Sequence, residues 1–214
     1  MTLASLRDVE VIELLSRVLE HLVTGEVMQM TALPEDLVSF EHYTRKTYLK
    51  TASLIANSSK AVAILGGHKS DGASAAAAYA YGKHLGLAFQ FQDDVLDFVG
   101  SGSILGKPTL GDLREGIATA PVLFAAEEFP DLRKLIGRRF KSEGDVERAA
   151  AWVKQSRGIE ETKRLARAHA AEAVAAIDAL PPADKAVPAG RRETQLKCRR
   201  ALKELARVAV ERIK

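Results

Sequence analysis

The run Gln90-Phe91-Gln92-Asp93-Asp94-Val95-Leu96-Asp97 places three carboxylates at i, i+1 and i+4 among large apolar residues. On a helix, Asp93 and Asp97 fall one turn apart on a single face, with Gln90 one turn before Asp93 or Asp94. Like charges at that spacing repel by about 0.2–0.5 kcal/mol even in water, and partial desolvation adds to the cost unless a cation compensates. A hard divalent ion is the natural compensation, and carboxylates that leave positions to water and phosphate are how magnesium is usually held. Taken alone, the three carboxylates also fit an exposed helix surface, where such spacing is common.

Two flanking segments add cations. Downstream lies Gly106-Lys107-Pro108, where a glycine frees the backbone to bring an ammonium round toward the helix end as a point charge for phosphate. Upstream, Lys46-Thr47 and Lys50-Thr51 repeat at four-residue spacing, so a helix would carry both pairs on one face. Carboxylates suited to a metal, a lysine loop and a Lys-Thr helix together describe a diphosphate site.

These residues, with Gly25-Glu26-Val27-Met28-Gln29, Lys50-Thr51-Ala52-Ser53-Leu54-Ile55, Gly86-Leu87-Ala88-Phe89-Gln90 and Ala120-Pro121-Val122-Leu123, resemble a trans-polyprenyl diphosphate synthase. The likeness is to the long-chain type that makes quinone side chains, the solanesyl and decaprenyl diphosphate synthases. It runs on through Gly144-Asp145-Val146 and Ser156-Arg157-Gly158-Ile159 nearly to the end. It implies an all-α, mainly antiparallel helical bundle of the isoprenoid-synthase type, with residues 1–214 forming a single domain. It also implies a magnesium-dependent prenyltransferase that elongates an allylic diphosphate with isopentenyl diphosphate. Mg2+ is the implied cofactor, a homodimer or heteromer the implied assembly, and a mitochondrion or plastid the implied location.

By the same resemblance Asp93 is the principal metal ligand, and Asp94 and Asp97 coordinate directly or hold the metal's water. Lys50 and Lys107 grip the allylic diphosphate, and Thr51 adds a hydroxyl. Gln90 lies near the diphosphate or serves as a buried amide, and Gln29 lies near the allylic group. Lys46, one turn before the better-matching Lys50, is set aside. Ile117 stands where many relatives carry a lysine that long-chain quinone enzymes also often lack. The family uses two aspartate-rich motifs, and Asp93-Asp94 is the only Asp-Asp pair in the chain. The expectation is therefore the C-terminal two-thirds of the family domain, without its N-terminal helices and inactive by itself. The alternative is a non-catalytic partner subunit of a heteromeric synthase.

Composition excludes other classes. A net charge of +3 is too small to argue for nucleic acid, and Arg138-Arg139-Phe140-Lys141 and Arg199-Arg200 read as solvated faces. One cysteine permits no internal disulfide. No apolar run approaches the ~18 residues of a membrane span. The basic C-terminal helix allows at most peripheral membrane contact, and packing on its own domain suits it better. The histidines show no metal-binding spacing.

The elements that must position these groups are helices throughout. An apolar stripe from Val11 to Val23 predicts a helix continuing to Met30. Pro34-Glu35-Asp36 opens the next, expected to carry both Lys-Thr pairs as far as Gly66-Gly67. Ser70-Asp71-Gly72 starts an alanine-rich helix, followed by the carboxylate helix, which must end before Gly100-Ser101-Gly102. Thr119-Ala120-Pro121, Gly144-Asp145 and Arg157-Gly158 delimit later helices. One long helix covers Ile159–Leu180, and another covers Thr194–Ile213, with Leu202, Leu205, Ala209 and Ile213 along one side and a Pro188-containing connection before it.

Overall fold

The structure, a computed structural model, describes residues 3–100, 110–182 and 189–212. Among the described residues there is no strand. After a single turn at Leu3–Leu6, Asp8 accepts the Val11 N–H at 3.0 Å and starts α1 (Val9–Thr31). This carboxylate cap satisfies one of the donors that every helix start leaves free. Val11, Val18 and Gly25 form the buried face of α1, whereas Leu19 and Val23, counted in the same stripe above, are 63% and 65% exposed.

Pro34 opens only one turn, α2 (Pro34–Leu37). The Asp36 carboxylate folds back to accept the Leu33 N–H at 3.1 Å, and the chain restarts at Ser39, whose hydroxyl accepts the His42 N–H at 3.1 Å. The long helix expected from Pro34 therefore begins at Ser39 instead, as α3 (Phe40–Thr47). It runs through a π turn at Tyr48–Ala52 into α4 (Ser53–Leu65). The π turn contains the second Lys-Thr pair, Lys50-Thr51, so the two pairs do not stack as on an unbroken α-helix; such bulges are frequent at functional sites. The stop at Gly66-Gly67 falls where expected, with Gly67 at φ 88°.

The alanine-rich and carboxylate segments are one helix, α5 (Ala73–Val99), of 27 residues. Its internal glycines do not break it, because tertiary contact replaces what propensity withholds. A Cβ at Gly86 would lie 2.6 Å from the Ala52 Cα, so only glycine lets α5 meet the backbone of the π turn. The chain continues as α6 (Gly111–Arg114), α7 (Ala120–Glu128), α8 (Leu132–Gly137), α9 (Asp145–Gln155), α10 (Gly158–Asp178) and α11 (Ala189–Glu211).

Helix α5 is the axis of the bundle, packed against α4, α10 and α11. Tyr43, Leu87, Phe91, Leu113, Val122 and Leu132 are among the residues of the main core. The C-terminal helix packs on its own domain: Ala206 and Ala209 are buried and the Tyr81 hydroxyl donates to the Leu202 carbonyl at 2.9 Å. Leu205, expected on its packed side, is exposed. Pro188, Ile213 and the turn at Ser101-Gly102 lie outside the described residues.

Where α5 crosses α10, the Nδ1 atoms of His84 and His169 are 2.9 Å apart, and His169 stacks on Phe91 with ring centroids 5.4 Å apart. One hydrogen fits between those two nitrogens. Burial, then the His84 and Lys83 charges, lower His169 to about 4, with Glu172 opposing. Burial and Lys83 also lower His84.

Two outcomes follow for stability. Gly86→Ala should destabilise by about 1–3 kcal/mol, the usual cost of overpacking, measured by urea denaturation. A wild-type value for this variant would contradict the close approach. The lowered folded-state histidine pKa means that the unfolded chain binds more protons below its ~6.5 value. Stability is thus full above that pH and lost as pH falls from ~6.5 toward about 4. His169→Gln should flatten this part of a stability–pH curve, and an unchanged slope would contradict the assignment.

Candidate functional site

Asp94 is the most enclosed charge in this region, 1% exposed. It accepts the Tyr43 hydroxyl from α3, the Gln90 amide at 3.1 Å from its own helix and the Ala120 N–H at 3.3 Å from the start of α7. Gln90 is itself oriented by the Thr51 hydroxyl, which donates to its Oε1 at 3.1 Å. Burial outweighs these hydrogen bonds and the charge of Lys46, and the carboxyl is raised to about 6.

Asp97, one turn before the helix end, accepts the Gly111 and Asp112 N–H groups at 2.9 and 3.2 Å. That clamp brings α6 back onto α5 and sets Asp112 beside the other carboxylates. Burial first, then the negative charges of Asp94 and Asp97, push Asp112 up to about 7, with Lys46 opposing. Burial thus raises two carboxylates side by side.

Asp93 points elsewhere. Its Oδ1 accepts from Arg212 Nη2 at 2.8 Å, while the Arg212 guanidinium lies 3.8 Å over the Phe89 ring. The Gln92 amide completes this latch by donating to the Arg212 carbonyl at 2.9 Å. Asp93 and Asp97 are thus each engaged, not stacked as a free pair. Among the described residues, no three His, Cys, Asp or Glu side chains are grouped to hold a metal ion.

On the opposite wall, Lys50 lies 2.6 Å from Glu26 and donates to Gln29 Oε1 at 3.0 Å. Gly25 makes this reach possible: a Cβ there would come within 2.7 Å of the Lys50 Cγ. Lys50, Thr51, Gln90, Asp94, Asp112 and Lys46 line one cavity of about 270 Å³. Of the groups expected from the sequence, Lys50, Thr51, Gln90, Asp94 and Gln29 come together here. Lys107 lies outside the described residues. Asp112 and Tyr43 join the site without having been singled out for it, and Lys46, set aside on the sequence, lines the same cavity. Asp112 follows the glycine–lysine segment in sequence, but only the Asp97 clamp places it.

A helical bundle with acidic groups facing a lysine-threonine turn across a polar cavity is the architecture of an isoprenoid-type synthase. The family model described as "Polyprenyl synthetase" matches residues 1–153, and the chain belongs to that family. It is 49% identical over 214 residues to "Solanesyl-diphosphate synthase 1, mitochondrial" of Oryza sativa, covering 100% of this chain and 48% of that protein. It is 45% identical over 212 residues to "Solanesyl diphosphate synthase 3, chloroplastic/mitochondrial" of Arabidopsis thaliana, again 48% of that protein. The chain spans about half the length of these curated relatives. The apo form of an Arabidopsis medium/long-chain length prenyl pyrophosphate synthase superposes with a TM-score of 0.87 at 45% identity, covering 99% of this chain and 68% of that one. A polyprenyl synthase from Caulobacter crescentus, complexed with calcium and isoprenyl diphosphate, gives 0.81 at 33% identity, covering 99% and 61%.

The Asp94 network yields its own test. Tyr43→Phe removes one donor from a buried carboxylate and should cost about 1–3 kcal/mol of unfolding free energy, read by chemical denaturation. An unchanged midpoint would mean that the hydroxyl does not hold Asp94.

Proposed function

We propose that this chain carries the diphosphate-binding wall of a trans-prenyltransferase. The enzyme would elongate an allylic diphosphate with isopentenyl diphosphate to a long-chain all-trans polyprenyl diphosphate for quinone biosynthesis. The observation that carries the reading is one cavity of about 270 Å³ with Lys50, Thr51 and Gln90 facing Asp94 and Asp112. Negative charge in excess on one wall and lysine on the other is the pattern that a divalent ion together with a diphosphate would neutralise. The family membership and the solanesyl diphosphate synthases among the relatives support it.

The donors suit a hard divalent ion in chemistry: all are carboxylate oxygens, and burial raises both Asp94 and Asp112, the latter also through the charges of Asp94 and Asp97. Asp94, Asp97 and Asp112, with Asp93 once it leaves Arg212, are the residues that would hold it. Few carboxylates beside a phosphate-sized cavity favour Mg2+, which keeps water and phosphate in its shell. Bound there, the ion would neutralise charge on the leaving diphosphate.

The protein's own groups do the rest. Lys50, with Glu26 and Gln29 on two of its three donors, keeps the third for a diphosphate oxygen, and the Thr51 hydroxyl would reach the same group only by leaving Gln90 Oε1, its acceptor at 3.1 Å. Gln90, fixed between Thr51 and Asp94, keeps the two walls in register. Stabilising the departing diphosphate by charges already in place is the largest catalytic contribution expected of such a site. Such an enzyme would use a second aspartate-rich motif, and these 214 residues hold one Asp-Asp pair, Asp93-Asp94. By themselves they are expected to form no product from labelled isopentenyl diphosphate. An organellar location and an oligomeric assembly belong to the same proposal, in keeping with the relatives' mitochondrial and chloroplastic names.

Binding can be read without turnover. Magnesium alone meets carboxylates already occupied, and diphosphate alone meets their repulsion. Together they complement both walls, so the melting temperature should rise beyond the sum of the separate shifts. Stabilisation should approach about 2.7 kcal/mol at a hundredfold excess over Kd. Asp93→Asn and Lys50→Ala should each diminish that excess. Strictly additive shifts in the wild-type chain would contradict the site.

A further inference from the structure

Among the described residues two lysines border the cavity, and their states differ. Lys50 already has partners, Glu26 at 2.6 Å and the Gln29 side-chain oxygen at 3.0 Å. Lys46, at the last turn of α3, is half-buried, and no hydrogen-bond acceptor for its ammonium is found among the described residues. Its one close partner there is the Tyr43 ring, 5.4 Å from Nζ to centroid. An ammonium carries three donors, and withdrawing it from water with none of them matched is unfavourable.

What keeps Lys46 in place is field, not contact. Burial lowers its pKa, Lys50 adds to the lowering, and Asp94, Asp112 and Glu26 act in the opposite direction. The same side chain reaches toward the two raised carboxylates, for which it is the cation that opposes their shift. Lys46 thus stands between an acidic wall and a second lysine, with no acceptor among the described residues and its ammonium over an aromatic ring. An anion with two phosphate groups suits this arrangement better than one ammonium alone. It can accept from Lys46 without meeting any existing partner, whereas at Lys50 it shares the ammonium with Glu26 and Gln29.

We infer that Lys46 is a further diphosphate-binding cation of this site, ready without rearrangement, beside a Lys50 that already shares its ammonium with Glu26 and Gln29. This rests on the cavity being a diphosphate site, and it departs from setting Lys46 aside in favour of the better-matching Lys50.

The test is calorimetric titration of inorganic diphosphate, with magnesium in excess, into the wild-type chain and its Lys46→Met, Lys46→Arg and Lys154→Met variants. Methionine keeps the apolar stem and removes the charge. Loss of a charge-assisted hydrogen bond corresponds to about a 10- to 100-fold weaker Kd for Lys46→Met. Lys46→Arg should keep most of the affinity, and the exposed Lys154→Met all of it. Lysine footprinting by reductive methylation of the wild-type chain needs no variant to fold: magnesium diphosphate should protect Lys46 and Lys50 together. Wild-type affinity in Lys46→Met, or protection of Lys50 with Lys46 still reactive, overturns this inference and leaves the site standing. No binding to the wild-type chain overturns both.

Discussion

A buried carboxylate organises this molecule. Asp94 is tied to α3 through Tyr43, to its own helix through Gln90 and to α7 through the Ala120 N–H. An ionised group so far from water is tolerated only where donors surround it, so three helices must arrive together for any of them to be well placed. Its pKa stays raised to about 6 even so. Burial that its donors do not offset is the site's working property.

The other parts serve that carboxylate. Gly86 lets α5 touch the π turn at Ala52, and the turn then presents Thr51 to Gln90 and so to Asp94. Gly25 does the same for Lys50, giving its stem room to cross α1 and meet Glu26 and Gln29. The Asp97 carboxylate spends its oxygens on backbone N–H groups, which brings Asp112 to the cavity. The Asp93–Arg212 pair ties the end of α11 to the same stretch of α5. Rigid packing on one side and exchangeable ion pairs on the other is a sound division for a site that must accept highly charged ligands.

Much of the helical framework was legible because it rests on local chemistry. Gly66-Gly67, Thr119-Ala120-Pro121 and Gly144-Asp145 mark boundaries that the backbone respects. Ser39 was missed as a cap since Pro34 offered a stronger local start, and the Asp36 side chain then closed that turn early. The continuity of α5 through Gly82 and Gly86 was hidden because glycine reads as a helix breaker unless the opposing backbone is known. At the site, Lys50, Thr51, Gln90 and Asp94 carry recognisable spacing. Tyr43 and Asp112 do not, since what brings them in is a contact between residues 43 and 94 and the Asp97 clamp, while Lys46, visible in the Lys-Thr repeat, was set aside for Lys50 although both line the cavity.

The most direct measurement of the central claim is a crystal structure of the chain grown with Mn2+ and inorganic diphosphate, with anomalous data collected at the manganese edge. Mn2+ stands in for the divalent ion, and its signal locates it independently of side-chain placement. The account predicts an anomalous peak within coordination distance of an α5 carboxylate or Asp112, with diphosphate density between it and Lys50. Diphosphate bound elsewhere on the chain, or an ion that leaves the Asp94–Asp112 cavity empty, would contradict it.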